Sequence, residues 1–203
     1  MNTGKNIASL VFFCIFILSY LSKLVILYRK DKIKANVLAK GKKVSYVKYI
    51  EIFVKLTTFL WGAAWLALSI AETFITPFTG RLLDSPWVST IGIMLTITGL
   101  FIFILAMVSM RTSWRVGIDP STKTKLVTYG IYQYSRNPAF VGFDFMFLGL
   151  FATYPSLLTL VILILNLLSI HLLILQEEKH LMSMFGDEYM QYSKKTPRYV
   201  LFL

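Results

Sequence analysis

Several long stretches of this sequence carry no charged residue, and they constrain the fold more than any other feature. Such stretches occupy residues 6–22, 56–71, 85–110 and 145–176. About 20 consecutive apolar residues cross a bilayer as an α-helix. Hydrophobic residues make up 56% of the chain and charged residues 15%, a balance too apolar for an ordinary soluble domain. The sequence therefore predicts an all-α integral membrane protein.

The last of these stretches is too long for a single crossing, and its own sequence divides it. Residues 154–156 read Tyr-Pro-Ser, which favours a turn over a continuous helix. We therefore predict a helical hairpin, with a short helix near 139–153 and a longer one near 156–176. With the three earlier stretches, this gives five transmembrane helices. No small-residue cleavage site follows the first of them, which is predicted to be an anchor and not a signal peptide.

Positive charge falls almost entirely on one side of this five-helix arrangement. Nineteen of the twenty-one Lys and Arg residues flank the same ends of the spans, and only Lys5 and Arg81 lie at the opposite ends. Because cytoplasmic loops are enriched in Lys and Arg, the N-terminus is predicted outside and the C-terminus in the cytoplasm. The short form favours a prokaryotic inner membrane, with the endoplasmic reticulum as the alternative. Topology thus explains the net charge of +11, and nucleic-acid binding is not expected.

Cysteine and histidine are too few to suggest redox or metal chemistry. Cys14 is the single cysteine and lies in the first predicted span, so it has no intramolecular disulfide partner. The two histidines, His171 and His180, are nine residues apart and match no metal-binding spacing. We therefore predict no metal site.

The two halves of the sequence differ in the chemistry that they offer. Residues 1–110 contain three predicted spans and a basic loop, whereas residues 111–203 hold most of the polar residues that could act on a ligand. The hairpin returns the chain to the side that it left. Residues 111–138 and the tail 177–203 are therefore predicted to lie together at the cytoplasmic face.

The tail carries signals for two further helical segments. No helix breaker separates it from the fifth span, which is expected to continue into the cytoplasm as far as Gly186. A second short helix is expected at 188–195, with Asp187 as its N-cap. This helix is expected to lie on the membrane surface or to fold back over the polar segment.

The polar stretch LVTYGIYQYSRNPAF at residues 126–140 suggests a ligand cradle. Asn137 and Pro138 fit an N-cap and a first helical position, so the positive end of the fourth helix would face the cytoplasm next to Arg136. Gly130 permits a tight turn. Flat aromatic faces come from Tyr132, Tyr134 and Phe140. The alternative interpretation is an interfacial loop with belt aromatics and an Arg that reaches the headgroups.

Three acidic residues have unusual positions. Glu177 and Glu178 are adjacent where the fifth helix leaves the bilayer, either simply solvated or placed to meet a cation or sugar hydroxyls. Asp144 lies inside the fourth helix, where a carboxylate is costly and should face protein or a wet cavity. It either lines an active cavity or forms a structural pair with a cation, for which the candidates are Arg111, Arg115 and Arg136.

Together these pieces resemble one family, the isoprenylcysteine carboxyl methyltransferases and their relatives, the membrane phospholipid N-methyltransferases. The resemblance covers about residues 111–200. Its first part consists of Leu126, Val127, Gly130, Tyr132, Arg136, Pro138 and Gly142. After the hairpin, its second part consists of Glu177, Glu178, Phe185, Gly186, Glu188, Tyr189 and Tyr192.

The resemblance implies S-adenosylmethionine as cofactor and a set of residues around it. The implied cofactor-binding residues are Lys125, Leu126, Val127, Tyr132, Asn137, Pro138, Ala139, Phe140 and Glu177. Two positions depart mildly from the family pattern, because Asn137 replaces a His and Phe140 replaces a Tyr. A larger departure is Leu173, where the carboxyl methyltransferases place a substrate-binding Arg. We expect Arg115 to supply the missing cation.

The function implied by the resemblance is methyl transfer to a lipophilic acceptor that enters from the inner leaflet. The acceptor is either an isoprenylcysteine-like carboxylate or a lipid amine, and the partners are membrane lipid or a lipidated substrate, with the oligomeric state left open. The residues expected to act in catalysis are Arg136, Glu178 and Asp144. The alternatives are a non-enzymatic membrane scaffold and a transporter subunit.

Overall fold

The computed structural model describes residues 2–119 and 124–200, and this part of the chain is almost entirely helical. Two short 3-10 turns and one isolated parallel bridge, between Asn36 and Val116, complete the described structure. The six α-helices, numbered in chain order, are α1 (Asn2–Asp31), α2 (Ser45–Thr79), α3 (Pro86–Ser109), α4 (Pro138–Thr153), α5 (Leu157–Phe185) and α6 (Asp187–Lys195).

Four of these helices are long and apolar enough to cross a membrane. They are α1, α2, α3 and α5, with α1 qualifying over Thr3–Asp31. The apolar helix α4 has 16 residues, so it is about 24 Å long at 1.5 Å per residue, against about 30 Å for the hydrocarbon core. The all-helical membrane architecture is thus confirmed for the described chain, and a fifth crossing by α4 stays a prediction.

Glycines bring α3 and α4 together along their lengths. A Cβ atom added at Gly99 would lie 2.5 Å from the Gly142 carbonyl oxygen, and one added at Gly142 would lie 2.7 Å from the Gly99 oxygen. Two turns further along α4, a Cβ at Gly149 would lie 2.8 Å from the Gly92 oxygen. Small residues allow such backbone contact between membrane helices. This contact fixes the position of α4, whose first turn belongs to the site described below.

Polar side chains tie α2 to its two neighbours inside the bundle. Thr57 and Ser169 share a hydrogen bond of 2.8 Å between their hydroxyls, which joins α2 to α5. On the other side, the Trp65 indole donates to the Ser9 hydroxyl at 2.9 Å, and Ser9 and Ser69 are 2.8 Å apart. Buried polar groups are stable in lipid only when they find such partners.

The basic loop after α1 is fixed to the segment after α3. The Val37 amide donates to the Val116 carbonyl at 3.0 Å, and the Val116 amide donates to Ala35 at 2.8 Å. Glu51, whose side chain is fully buried, accepts from the Ile118 amide at 2.8 Å and from the Lys43 ammonium at 2.6 Å. The basic loop, which was not predicted to contribute to the site, therefore helps to hold the segment after α3 in place.

The hairpin and the tail agree with the sequence in most respects. Ser156 begins α5 with a capping box, in which its hydroxyl accepts from the Thr159 amide. Helix α5 continues without a break to Phe185, as predicted, and the position of its last turns in the cytoplasm stays a prediction. The predicted N-cap at Asp187 is wrong: α6 already begins at this residue, because Gly186, with φ of 51°, makes the turn between the two helices.

Candidate functional site

One cavity of about 690 Å³ lies where the polar segment, the basic loop and the last helices meet. All six helices contribute to its lining, together with the loop between α1 and α2 and the segment between α3 and α4. This size is typical of cavities that hold a small ligand or cofactor. Part of the lining is polar, and the rest extends into the apolar interior of the bundle.

Most of the residues predicted to bind a cofactor line this cavity. They are Lys125, Leu126, Val127, Tyr132, Asn137, Ala139, Phe140 and Glu177. The exception is Pro138, which is fully buried at the start of α4 and does not line the cavity. Tyr134 is 71% exposed and also lies outside the lining. The structure thus brings together residues from 125 to 140 with one residue of the distant Glu pair.

A tight turn presents Tyr132 to the cavity. Gly130 has a φ of 63°, a conformation that favours glycine, and begins the 3-10 turn Gly130–Gln133. The Tyr129 hydroxyl donates to the Ser109 carbonyl at 3.0 Å and so anchors the turn to the end of α3. The Tyr192 hydroxyl donates to the Tyr132 carbonyl at 2.6 Å. Burial raises the pKa of Tyr132, so its phenol stays neutral.

The beginning of α4 supplies the positive end of a helix to the same region. Asn137 occupies the N-cap position, as predicted, but its side chain makes no capping hydrogen bond. The side-chain amide of Asn137 instead donates through Nδ2 to the Glu178 carboxylate and to the Arg198 carbonyl, each at 3.1 Å. Pro138 has no N–H group, the Asn137 backbone N–H donates to the Ser135 hydroxyl, and the Phe140 N–H donates to the Asn137 carbonyl. Among the described residues this leaves the Ala139 N–H at the helix start, which carries partial positive charge. Because Ala139 and Phe140 line the cavity, this end of α4 can meet a carboxylate there.

Glu178 joins an ion cluster behind the cavity. Its carboxylate accepts from Arg136 with nitrogen-to-oxygen distances of 3.0 and 3.1 Å and from Arg198 at 2.9 Å. Arg136 also donates through Nη1 to the carbonyls of Ser193 and Thr196, at 2.9 and 2.8 Å. Glu178 does not line the cavity. Its predicted catalytic role stays a prediction, and its contacts favour the positioning of Arg136.

Arg136 lines the cavity, but its guanidinium donors are already engaged. Its Nε and Nη2 groups donate to Glu178, and its Nη1 group donates to two carbonyl oxygens. A guanidinium has five N–H donors, so few remain for a ligand. The predicted catalytic role of Arg136 stays a prediction, and its contacts favour a role in holding the start of α4 against the end of α6.

Glu177 is the free carboxylate of the pair. It lines the cavity, and in the part of the chain that the structure describes its side chain has no hydrogen bond or ion pair. His180, one turn further along α5, also lines the cavity. Adjacent positions on a helix point about 100° apart. Glu177 therefore faces the ligand space and Glu178 the ion cluster.

Asp144 occupies neither of its two expected positions. Within residues 2–119 and 124–200 it forms no ion pair with the three predicted arginines, and it does not line the cavity. Its Oδ1 atom is buried and lacks a hydrogen-bond partner among these residues. The reason is helical phase, because α4 turns Phe143 toward the cavity and Asp144 about 100° away. A catalytic role for Asp144 stays a prediction without support from this geometry.

Arg115 lines the cavity, where it was expected to bind the acceptor. Its Nη1 group donates to the carbonyls of Thr112 and Trp114 at 2.8 and 2.9 Å, and its Nε lies 3.5 Å from Asp119. Lys55, which was not predicted, lines the cavity too and has no ion pair within the described residues. Lys55 is thus the less engaged cation of the two.

The first half of the chain contributes residues that the sequence did not indicate. Tyr20 and Asn36 line the cavity, and the Asn36 amide donates to the Tyr20 hydroxyl at 3.1 Å. Asn36 reaches this position through the parallel bridge to Val116. No local pattern encodes this pairing, so only the three-dimensional structure reveals it.

The apolar branch of the cavity is the part lined by apolar residues of α1, α2 and α5. Leu173 is part of the lining, and the branch continues along Ile17, Gly62 and residues at its edge. At that edge Phe59 is 71% exposed and Leu66 38% exposed. Because these two lining residues are exposed on the apolar helix α2, the lining of the branch reaches the outer surface of the bundle.

Comparison with known proteins now assigns the family. The model of the phospholipid methyltransferase family matches residues 87–188, half of the chain. The chain belongs to the phospholipid methyltransferase family. This result confirms the predicted resemblance, and the matched range contains both the 124–140 segment and the Glu pair.

Two curated relatives of this family member carry the same name. A protein-S-isoprenylcysteine O-methyltransferase of Schizosaccharomyces pombe is 43% identical over 75 residues, which cover 36% of this chain and 31% of the relative. A protein of the same name from Xenopus laevis is 29% identical over 138 residues, covering 66% of this chain and 46% of the relative. The matches thus span about a third to a half of the relatives' length.

A solved structure has a similar fold. The eukaryotic intramembrane Ras methyltransferase, an isoprenylcysteine carboxyl methyltransferase, superimposes with a TM-score of 0.51 at 16% identity. The alignment covers 99% of this chain and 97% of the solved one. The similarity therefore extends to the first three helices, and this fold and the four apolar helices identify an integral membrane protein.

Proposed function

We propose that this family member is an S-adenosylmethionine-dependent methyltransferase that acts on a lipophilic acceptor bearing a carboxylate, of the isoprenylcysteine type. One observation carries the proposal: a single cavity joins a polar compartment, built by residues 125–140 and Glu177, to an apolar branch whose lining includes the exposed α2 residues Phe59 and Leu66. A water-soluble donor and a lipid-soluble acceptor need such a two-sided space. The names of the curated relatives agree with this acceptor class.

The polar compartment fits S-adenosylmethionine in its donor set. Glu177 offers a carboxylate that no described residue satisfies, suited to ribose hydroxyls or to the amino group. Tyr132 and Phe140 offer aromatic faces for adenine, and the Ala139 N–H at the positive end of α4 suits the methionine carboxylate. When bound there, S-adenosylmethionine supplies an electrophilic methyl group.

The remaining task of the chain is to orient the acceptor and exclude water. Phe103 and Leu173 are buried and give the cavity an apolar wall close to the polar compartment. A carboxylate acceptor is ionised at neutral pH and needs no general base. The absence of Asp144 and Glu178 from the lining is consistent with such an acceptor. Lys55 and Arg115 are the cations that would steer its carboxylate.

The orientation proposed for the cavity is cytoplasmic. Lys5 and Arg81, the two cations expected on the opposite side, both contact the same Glu72 oxygen and so do lie together at one end of the bundle. The basic loop and the polar segment lie together at the other end. This separation supports the positive-inside assignment.

The proposal is tested by calorimetric titration of S-adenosylmethionine into the full chain in detergent. We expect binding that weakens at least about tenfold in Glu177→Ala and Tyr132→Ala, since each variant loses a contact of the polar compartment. Glu188→Ala, at an exposed position of α6, is the matched control and should bind normally. Absence of binding to the folded wild-type protein would refute the proposal.

The acceptor is tested by transfer of a labelled methyl group. We expect label in a farnesylated cysteine with a free carboxylate and none in the same compound with its carboxylate blocked as an amide. Label in phosphatidylethanolamine, and not in the farnesylated cysteine, would instead assign a lipid amine as the acceptor.

A further inference from the structure

A second cavity lies at the opposite end of the bundle from the proposed methyl-transfer site. Its volume is about 450 Å³, and it is enclosed by the N-terminal part of α1, the end of α2, the start of α3 and the turn between α4 and α5. No residue is shared between the linings of the two cavities. A ligand of this second cavity therefore has a role separate from methyl transfer.

The most deeply buried charged residue in the lining of this cavity is Glu72. Its side chain is only 4% exposed. Both neighbouring cations contact the same oxygen, Oε1: the Lys5 ammonium at 2.6 Å and the Arg81 guanidinium at 3.3 Å. The other oxygen, Oε2, is buried and has no hydrogen-bond partner in the described chain. The carboxylate thus lacks one donor.

The two cations are only partly used by this contact. The side chains of Lys5 and Arg81 are 15% and 32% exposed, and both line the cavity. Lys5 also lies 4.7 Å from the centre of the Tyr154 ring. Arg81 reaches Asp84, whose side chain is 81% exposed and screened by solvent. Two long cationic side chains at the rim of a cavity suit an anion such as a phosphate.

The surface around the cavity indicates membrane at this level. Phe74, Phe78 and Trp87 are 77%, 91% and 77% exposed on the neighbouring helix ends. Trp and other aromatic residues are enriched where membrane proteins meet the headgroup region. A phosphate that reaches Lys5 and Arg81 from this surface belongs to a lipid.

We propose that this cavity binds the headgroup of a phospholipid with a primary amine, of the phosphoethanolamine type. The phosphate contacts Lys5 and Arg81, and the ammonium, which has three N–H groups, donates to both oxygens of Glu72: to Oε2, which lacks a donor, and to Oε1 in place of Lys5. Lys5 moves from Glu72 to the phosphate as the headgroup enters. A quaternary ammonium has no N–H group, so Glu72 distinguishes a primary amine from choline. The bound lipid acts as a structural ligand and not as methyl acceptor.

Lipid retention in native mass spectrometry of the full chain tests this proposal. Phosphatidylethanolamine and phosphatidylcholine with identical acyl chains are added in equal amounts to the detergent-solubilised protein. We expect the ethanolamine lipid to be retained about tenfold more than the choline lipid, as for a charge-assisted hydrogen bond made by only one of them. Equal retention of the two lipids by the wild type would overturn the proposal.

Two variants and one control separate this site from general lipid binding. Glu72→Gln should remove the preference for ethanolamine while retention of the choline lipid stays unchanged. Thr90→Phe, at the exposed rim, should block the cavity without touching the charged residues. Asp31→Asn, an exposed acid at the other end of α1, should keep the preference. A preference that survives both Glu72→Gln and Thr90→Phe refutes the site.

A soluble competitor distinguishes a lipid from a free headgroup. Phosphoethanolamine without acyl chains is added with phosphatidylethanolamine at equal concentration. We expect the lipid to remain bound, because its acyl chains contribute to binding at this membrane-level surface. Displacement of most of the lipid by the soluble compound would assign the cavity to a water-soluble ligand and overturn the lipid assignment.

Discussion

Replacement of Glu178 by Ala separates a positioning role from a catalytic one. The carboxylate holds Arg136 with three hydrogen bonds, at 3.0 to 3.1 Å, and the side chains of both residues are only 11% exposed. Removing one partner of a buried ion pair costs about 3–5 kcal/mol, because it leaves the other charge uncompensated. Each kcal/mol lowers the midpoint of thermal unfolding by about 2–4 °C for a chain of this size. We therefore expect Glu178→Ala to lower the midpoint by about 6 °C or more.

The matched control is the other arginine of the cluster. Arg198 contacts the same carboxylate at 2.9 Å, but its side chain is 36% exposed, so solvent screens the pair. Such partly exposed pairs contribute about 1 kcal/mol at most. Arg198→Ala keeps the backbone carbonyl that accepts from Asn137, and it should lower the midpoint by no more than about 4 °C.

Thermal unfolding in detergent, followed by tryptophan fluorescence, measures both variants, and titration of S-adenosylmethionine is repeated on each. We expect Glu178→Ala to lose stability and cofactor affinity together. If Glu178→Ala unfolds at the wild-type temperature and binds cofactor normally but transfers no methyl group, the positioning argument is wrong. A direct catalytic role for Glu178 would then be the better explanation.

Three further predictions concern packing, the framework and the acceptor. Gly142→Ala should cost about 1–3 kcal/mol in unfolding free energy, because its Cβ would lie 2.7 Å from a backbone oxygen, whereas Gly62→Ala, with nothing within 4 Å, should not destabilise the protein in the same melt. Glu51→Gln should lower the unfolding midpoint by about 6 °C or more, since the side chain is fully buried and paired with an ammonium at 2.6 Å. Lys55→Ala should raise KM for a carboxylate acceptor about tenfold and leave cofactor affinity unchanged in the calorimeter, and equal losses of both would contradict its assignment to the acceptor.

The sequence predicts the helices well because membrane crossing is a local requirement. A charge-free run of about 20 residues has few alternatives in lipid, and the hairpin break at 154–156 and the extension of α5 depend on adjacent residues. How deeply α4 enters the membrane is not determined by local sequence in the same way. Its 16 residues carry no signal that distinguishes a crossing from a shorter buried helix, so its relation to the membrane depends on its glycine contact with α3.

The site residues that could be predicted are those whose positions are set by neighbouring residues in the sequence. The turn at Gly130 and the helix start at Pro138 lie within the segment 125–140, so the side chains between them are placed by nearby geometry. Asp144 shows the limit of this reasoning. Its distance from the helix start indicated a buried acid, but only the packing of α4 shows which side faces the cavity.

Residues that approach the site from the first half could not be found from sequence. Asn36 reaches the cavity through a parallel bridge to Val116, and Glu51 binds the Ile118 amide across 67 positions of the chain. Such contacts follow from how the helices assemble. They leave no periodic or motif signal near the residues themselves.

The contacts of the segment after α6 have a consequence for biosynthesis. The Arg136 amide donates to the Pro197 carbonyl at 2.9 Å, and the side chain of Asn137 donates to the Arg198 carbonyl at 3.1 Å. Translation proceeds from the N-terminus, so these acceptors are made about 60 residues after their donors. The polar compartment therefore stays incomplete in the nascent chain while the membrane helices are already inserting. A ribosome-bound chain that stops before residue 197 should be integrated in the bilayer and yet unable to bind the methyl donor. Partly synthesised copies would then not consume S-adenosylmethionine.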